Sequence, residues 1–246
     1  MTDLGSPAAQ FFCPSSSKKL PPAPSSPQET FPWRYCPNVI PPALGEKLYD
    51  ILIKETIDLQ LKPTLVWNNP GKESRLTQFY STSGHTFKYS GVTHASSKRI
   101  SDIALFEDLI QAVNAVMKEE KLPSLEECCN PPPFNAILVN HYRAKHLADQ
   151  VRPHSDTDGR DHIIASVNLG APRMFEIFRK PLPGEKMSKP KHRVGEPFVV
   201  EPNSILFMLP EMQQHFLHGT LPVTKKMLMT YPTMADARIN VTLRTH

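Results

Sequence analysis

Residues 237–245 have the sequence ARINVTLRT, and this stretch decides the fold that we expect. Apolar residues at every second position, Ile239, Val241 and Leu243, alternate with the polar residues Arg238, Asn240, Thr242 and Arg244. Strict alternation predicts a β-strand with one apolar face and one polar face. Inside a barrel, the two arginines would be buried cations that need an anionic partner. A dicarboxylate would suit them, because guanidinium groups pair bidentately with carboxylates; an exposed edge strand with solvated arginines is the alternative.

Short segments rich in β-branched or aromatic residues precede this stretch, separated by Gly, Pro, Asn or Asp, and predict further strands. The candidates are residues 134–142, 162–169, 173–179, 197–201, 204–209 and 215–221. Before them, apolar residues at helical spacing predict helices over 44–57 and 101–118, with Ser101 as the N-cap of the second. Two helices followed by many short strands predict a mostly β fold of the α+β class, an antiparallel jelly-roll on a helical support.

Composition narrows the class of protein. The chain has 246 residues, a net charge of +4 and four cysteines, and it contains no apolar run long enough to span a membrane. This excludes a disulfide-rich secreted module and a membrane protein, and it indicates a reducing compartment. Proline accounts for 26 residues. Many of them lie near the N-terminus with serines, so we expect residues 1–30 to be a disordered tail, which could dock a partner.

The segment His154-Ser155-Asp156 can supply two metal ligands, because residues i and i+2 of an extended chain point to the same side. His218, on a later predicted strand, would return across a jelly-roll as the third ligand. Two histidines and one carboxylate form the facial triad of non-haem Fe(II) oxygenases. His215 and His246 are rival third ligands.

Taken together, these signals resemble the AlkB family of Fe(II)- and 2-oxoglutarate-dependent dioxygenases, most closely its eukaryotic DNA repair branch. The motifs that carry the resemblance are Arg75-Leu76-Thr77, residues 86–91 (TFKYSG), Asn140-x-Tyr142, His154-Ser-Asp156-x-Asp158, residues 165–170 (ASVNLG), Phe178-Arg179-Lys180, His218 with Leu221-Pro222-Val223, and Arg238-x-Asn240-x-Thr242-x-Arg244. The family pattern usually closes with Phe-Arg, where this chain has Leu243-Arg244.

The resemblance implies a double-stranded β-helix (jelly-roll) core over residues 134–246, with helical support and a nucleotide-recognition lid over 31–133; together, 31–246 would form one domain. It implies that His154, Asp156 and His218 hold Fe(II). Arg244 and Asn140 would bind the 1-carboxylate of 2-oxoglutarate, and Arg238, Tyr142 and Asn240 its 5-carboxylate. The reaction would yield succinate and CO2 and hydroxylate an N-methyl carbon, which is then lost as formaldehyde; ascorbate would support activity.

Residues on the substrate side follow from the same resemblance. Tyr89 and the ring of His154 would sandwich a flipped base beside Phe87, and Asp158 would face the cationic ring of 1-methyladenine or 3-methylcytosine. Arg75 would also lie on the substrate side, and Trp67, on a turn-rich loop ahead of it, could fill the gap left by the base. Packing of the lid is the alternative for the aromatic residues, and a solvated loop carboxylate is the alternative for Asp158.

The segment 179–193 is rich in cations, beginning with Arg179 and Lys180, and could clamp phosphates or could be a solvated loop. We therefore expect a monomeric nuclear enzyme (alternatively cytoplasmic) that demethylates double-stranded DNA and binds no membrane. The alternatives are an RNA demethylase and a 2-oxoglutarate oxygenase that hydroxylates a protein or a small molecule.

Overall fold

The computed structural model of the protein describes residues 31–66, 69–83, 86–89, 92–95, 98–122, 134–156 and 161–245. Contacts between Cα atoms divide the chain into Met1–Phe31 and a compact unit, Pro32–His246. None of the helices in the described ranges is long and apolar enough to cross a membrane.

Strands dominate the described part of the compact unit. In chain order they are β1 (Trp33–Cys36), β2 (Pro63–Val66), β3 (Asn69–Lys72), β4 (Leu76–Ser81), β5 (Thr86–Tyr89), β6 (Val92–Ala95), β7 (Lys98–Arg99), β8 (Ala136–Tyr142), β9 (Val151–His154), β10 (Ile164–Gly170), β11 (Arg173–Arg179), β12 (Phe198–Val200), β13 (Ser204–Met208), β14 (Phe216–Thr220) and β15 (Arg238–Arg244). The six strands predicted over 134–221 and the closing strand are all present, with ends displaced by no more than a few residues.

Two sheets form the jelly-roll. The larger has the order β1-β13-β10-β15-β8-β4-β7, and the smaller has the order β12-β11-β14-β9. β15 therefore lies in the interior of the larger sheet, between β10 and β8, and the exposed edge strand considered as an alternative is wrong. The hairpins β2-β3 and β5-β6 form two further, small sheets.

The helices are α1 (Pro42–Thr56), α2 (Leu105–Glu119), α3 (Lys189–His192), α4 (Pro210–His215) and α5 (Lys225–Thr230). α1 begins with Pro42, a residue favoured in the first helical turn because it has no N–H to leave unsatisfied. The predicted cap at Ser101 is wrong. Ser101 lies in a 3-10 turn, Ile100–Asp102, where the Asp102 carboxylate accepts a hydrogen bond from the Arg99 backbone N–H, and α2 starts after Ala104.

One apolar layer joins α1 and α2 to the outer face of the larger sheet. Its buried members include Leu48 and Leu52 of α1, Phe106 and Leu109 of α2, and Val241 of β15. A second apolar cluster lies around the smaller sheet, with Phe175 and Ile177 of β11 and Leu206 and Met208 of β13. The polar residues of β15 are buried as well, so they face the space between the sheets, where the polar face of a barrel strand was expected.

Candidate active site

The two histidines of the predicted triad are neighbours on adjacent strands. His154 ends β9 and His218 lies on β14, and the antiparallel register pairs them directly. Their ring centroids are 4.5 Å apart. Asp156 follows two residues after His154. The end of β9 and the neighbouring strand β14 therefore bring three side chains that can bind a metal close together.

The ligand atoms are placed to bind one ion. His154 Nε2 lies 3.6 Å from Asp156 Oδ1, and His218 Nε2 lies 3.7 Å from Asp156 Oδ2. One ligand atom from each of the three residues lies within 4.8 Å of the others. This grouping confirms the triad, and it favours His218 over the rivals: His215 ends α4 outside the cluster, and His246 lies outside the described residues.

The protonation states also suit a metal. Burial lowers the pKa of His218 to about 3, with the neighbouring His154 adding to the effect, so its imidazole is neutral and can ligate. Burial alone would raise the pKa of Asp156, but the Arg244 guanidinium, whose Nη2 donates to Oδ1 at 3.0 Å, and the two imidazoles hold that pKa well below its usual range. His154 Nδ1 lies 3.0 Å from the Arg152 carbonyl oxygen, which orients the ring with Nε2 toward the metal position.

The predicted 2-oxoglutarate residues surround the same cavity. It has an empty volume of about 470 Å³, including space open to solvent, and its lining includes the metal triad, Asn140, Tyr142, Arg238, Asn240 and Arg244. The register of β15 against β8 explains the grouping, because Arg238 lies opposite Tyr142 and Asn240 opposite Asn140. Arg238 and Tyr142, predicted to bind the same carboxylate, are thus cross-strand neighbours, and Asn140 and Asn240, assigned to different carboxylates, also lie opposite each other.

Hydrogen bonds fix the two asparagine side chains. Asn140 Nδ2 donates to Asn240 Oδ1 at 3.1 Å, and Asn240 Nδ2 donates to Ser166 Oγ at 2.8 Å. Arg75, predicted on the substrate side, is buried, lines the cavity and donates from Nε to Asn140 Oδ1 at 2.7 Å. The structure therefore places Arg75 beside the residues predicted to hold 2-oxoglutarate.

Arg238 is the clearest sign that the cavity accepts an anion. Its side chain is buried, and Nη2 donates to Asn168 Oδ1. Nε and Nη1 are buried and have no hydrogen-bond partner among the described residues. A buried guanidinium with free donors at a cavity wall fits the carboxylate of 2-oxoglutarate, since an unpaired buried cation is costly.

The remaining residues predicted on the substrate side fall into three groups. Arg179 donates from Nη2 to Glu185 at 3.0 Å and Lys180 from Nζ to the Gln213 carbonyl oxygen at 2.7 Å, and neither lines the cavity. Phe87 and Tyr89 lie on β5, whose backbone alone is described. Trp67 and Asp158 lie outside the described residues. Their contacts with a base stay predictions.

Several residues of the site carried no signal in the sequence. Phe175 stacks on the His218 ring with centroids 5.9 Å apart, and Gln213 Oε1 accepts the Asp156 backbone N–H at 2.8 Å. Arg173, at the start of β11, has its guanidinium carbon 5.2 Å from the centroid of the Tyr142 ring. The position of each of these side chains depends on packing between elements, which no local sequence motif predicts.

The 2OG-Fe(II) oxygenase superfamily model matches residues 34–244, which is most of the chain. The chain belongs to this superfamily. Together with its His-Asp-His triad, this makes the protein a dioxygenase that binds Fe(II) and uses 2-oxoglutarate. When bound, the iron and 2-oxoglutarate supply the oxidising chemistry, while the protein supplies ligands, orientation and exclusion of water.

Three known proteins share local sequence or fold with this chain. Over 53 residues the chain is 49% identical to "Alpha-ketoglutarate-dependent dioxygenase alkB homolog 3" of Bos taurus, an alignment that covers 20% of this chain and 18% of the bovine protein. The solved structure of OsALKBH1 shares the fold at a TM-score of 0.54 and 15% identity, covering 87% of this chain and 97% of that one. A Pseudomonas putida prolyl-4-hydroxylase matches at a TM-score of 0.49 and 14% identity, over 88% and 94% of the two chains. The fold shared with OsALKBH1 confirms the predicted jelly-roll, and the local identity to alkB homolog 3 agrees with the AlkB resemblance of the motifs.

Proposed function

We propose that this oxygenase demethylates N-alkylated bases, such as 1-methyladenine and 3-methylcytosine, in DNA. The observation that carries the proposal is the convergence of the metal triad with Arg238 and Arg244 in one cavity. The motifs that resemble the AlkB family, with which the local identity to alkB homolog 3 agrees, favour a nucleobase rather than a protein as substrate.

The proposed reaction couples oxidation of the methyl group to oxidative decarboxylation of 2-oxoglutarate. One O2 and one 2-oxoglutarate are consumed, succinate and CO2 are released, and the N–CH3 group becomes N–CH2OH. This hemiaminal then breaks its N–C bond, so that formaldehyde leaves and the ring nitrogen is restored. The chain's contribution is to hold the metal through His154, Asp156 and His218, and to bind the two carboxylates of 2-oxoglutarate through Arg238 and Arg244.

The base would enter the cavity after leaving the stack, because a methyl group inside a duplex cannot reach a buried metal. We propose that Tyr89 and the ring of His154 hold the flat base between them, with Phe87 alongside. Asp158, two residues beyond Asp156, would stabilise the positive charge of 1-methyladenine or 3-methylcytosine. A neutral unmethylated base would gain less from this carboxylate, which would help the enzyme to discriminate.

Formaldehyde release from matched oligonucleotides tests the proposal. The protein is incubated with Fe(II), ascorbate and 2-oxoglutarate, and with single- or double-stranded DNA that carries one 1-methyladenine. The His154→Ala/Asp156→Ala variant is the control, because it lacks two of the metal ligands. We expect formaldehyde from the wild-type protein and none from the variant.

Other outcomes would redirect the assignment. Formaldehyde from methylated RNA but not from DNA would establish the RNA demethylase. Succinate without formaldehyde from any methylated oligonucleotide would contradict the nucleobase proposal and indicate a protein or small-molecule substrate.

The preference for duplex DNA has a separate test at Trp67. If this side chain fills the gap left by the flipped base, Trp67→Ala lowers formaldehyde release from duplex DNA more than from single strands. Equal losses on the two substrates would contradict the wedge role. Because the single-stranded reaction serves as an internal reference, a general loss of folded protein cannot imitate the expected result.

A further inference from the structure

A second buried arginine, Arg173, lies against the Tyr142 ring, although it is not itself among the residues that line the cavity. Arg173 begins β11 and is 1% exposed, although it carries a full positive charge. Its Nε and Nη1 are buried and have no hydrogen-bond partner among the described residues. Buried guanidinium groups are normally paired with an anion, so two neighbouring ones without an acidic partner among the described residues need an explanation.

Tyr142 connects the two arginines. The guanidinium carbon of Arg238 lies 4.6 Å from the centroid of the Tyr142 ring, and that of Arg173 lies 5.2 Å from it. The ring thus makes two cation–π contacts. Such contacts recover only part of what it costs to bury a cation without a counter-ion.

Among the residues that the structure describes, no carboxylate is paired with either arginine. Asp149 is the acidic group whose charge Arg173 senses, but it is bound by Arg143 Nη2 at 2.7 Å. Asp156 is bound by Arg244 at 3.0 Å. Among the described residues, neither Arg173 nor Arg238 forms an ion pair with an acidic side chain within 4.0 Å. This end of the cavity therefore has an excess of positive charge that a ligand can neutralise.

We propose that Arg173 is a positioning residue for the 5-carboxylate of 2-oxoglutarate and acts through Tyr142. Its guanidinium holds the Tyr142 ring, makes the hydroxyl a stronger hydrogen-bond donor, and adds a second positive charge behind Arg238. The consequence is selectivity: the cavity favours 2-oxo acids that carry a second carboxylate. The inference rests on the assignment of 2-oxoglutarate as cosubstrate and is independent of which base is demethylated.

The electrostatics of the cluster agree with this role. Burial alone would raise the pKa of Tyr142, but Arg238, Arg75, Thr220 and Arg173 together bring it below its usual value. Burial lowers the pKa of Arg173 to about 10, so the side chain remains a cation at neutral pH. A phenol with a lowered pKa donates a stronger hydrogen bond to a carboxylate.

Binding of two 2-oxo acids to the Mn(II)-loaded protein tests the proposal without any nucleic acid. The probes are 2-oxoglutarate and 2-oxopentanoate, which has the same chain length but no distal carboxylate. We expect Arg173→Met to weaken binding of 2-oxoglutarate about ten-fold, the size of one lost charge-assisted interaction, and to change 2-oxopentanoate binding less than about two-fold. Arg173→Lys, which keeps the charge, restores part of the affinity.

A double-mutant cycle separates action through Tyr142 from a direct contact. If Arg173 acts through the tyrosine, Arg173→Met has a smaller effect in a Tyr142→Phe background than in the wild type. Arg34→Met, which removes an exposed arginine paired with Glu120, is the control and leaves both affinities unchanged. Calorimetric titration gives the dissociation constants, and thermal melting verifies that each variant is folded.

Equal weakening of both acids by Arg173→Met would overturn the proposal, since it would show a structural role only. Unchanged binding of 2-oxoglutarate would overturn it as well. If Arg173→Met does not fold, Arg173→Gln, which also removes the charge, carries the same test with the same expectations. Methylated DNA is absent from the titration, so failure of the demethylase proposal would leave this result unaffected.

Discussion

A glutamine that is not a ligand controls the backbone of the metal triad. Gln213 lies on α4 and is fully buried. Its Oε1 accepts the Asp156 backbone N–H at 2.8 Å, while its own carbonyl oxygen accepts Lys180 Nζ at 2.7 Å. Groups that hydrogen-bond to the ligand-bearing segment set the direction in which a ligand points, so Gln213 helps to aim the Asp156 carboxylate.

Replacing this glutamine is therefore expected to weaken metal binding. Gln213→Ala leaves the Asp156 amide without a partner and frees the segment after β9, so we expect the dissociation constant for Mn(II) to rise at least about ten-fold. Gln214→Ala is the matched control, because Gln214 is the next residue and is exposed. Calorimetric titration with Mn(II) measures both. Equal affinities of the two variants would show that Gln213 does not aim Asp156.

At the level of single residues, the metal ligands were predictable from the sequence, but the residues that position the ligands and the 2-oxoglutarate site were not. The spacing of His154 and Asp156 follows from the pleat of an extended chain, and it suffices to suggest a metal site. Gln213 and Arg173 act through packing between elements distant in sequence. Nothing in their local sequence distinguishes them from an ordinary helical glutamine or a strand-end arginine.

Among the elements, β14 and β9 hold the two histidines at a fixed distance, and Gly219 makes their close approach feasible. A Cβ atom at Gly219 would lie 2.5 Å from the Val151 carbonyl oxygen and 3.0 Å from the Pro153 nitrogen. Both are backbone atoms of β9, which cannot move aside without moving His154. The register also shifts between His218 and Thr220, so this part of the pairing is already irregular.

Gly219→Ala is accordingly expected to damage both stability and the site. Overpacking of this kind costs about 1–3 kcal/mol. Each kcal/mol lowers the Tm of a protein of this size by about 2–4 °C. Because the strain separates β9 from β14, Mn(II) affinity falls as well.

Gly71→Ala is the control for this strand glycine. The nearest atom to a Cβ at Gly71 is Thr64 Oγ1 at 3.1 Å, the end of a side chain. Gly71 lies on β3, which pairs with β2, and is not among the residues that line the cavity. We expect a smaller change in Tm and no change in Mn(II) affinity. Retention of wild-type Mn(II) binding by Gly219→Ala would contradict the view that the strand spacing sets the site.

Strands that alternate, or that are rich in β-branched and aromatic residues, were predictable, whereas β4 and β1 were not. β15 shows its two faces in its sequence, and the structure confirms them. β4 (LTQFYS) has polar and apolar residues in adjacent pairs, so it shows no alternation that would predict a strand, although all six residues are buried. β1 pairs with β13, about 170 residues later in the chain, and no local sequence pattern predicts such a distant pairing.

On the scale of the whole molecule, the basic segment between β11 and β12 is neutralised more than its composition suggests. Glu185 accepts Arg179 Nη2 at 3.0 Å and lies 2.6 Å from Lys191 Nζ. Buried Glu176 pairs with Lys189 at 3.4 Å and with Arg193 at 3.2 Å. Lys191, together with the backbone and other side chains around it, holds the pKa of Glu185 well below its usual range, so the carboxylate stays charged. Counting the cations of this segment therefore overstates its positive charge, because Glu185 and Glu176 are paired with four of them.

If this segment contacts the phosphates of DNA, Glu185 limits how many it can neutralise. Glu185→Gln releases Arg179 and Lys191, so we expect tighter binding to duplex DNA and a plot of log affinity against log salt that is steeper by about one unit. Glu196→Gln removes the same charge from an exposed residue of the same connection and is the control. Fluorescence anisotropy between 50 and 200 mM salt, concentrations in the range where such slopes are resolved, measures both variants.

Equal slopes for the two variants would mean that only net charge matters. Weaker binding by Glu185→Gln would mean that DNA recognises the ordered segment rather than its free cations, because the same substitution also removes the carboxylate that organises it.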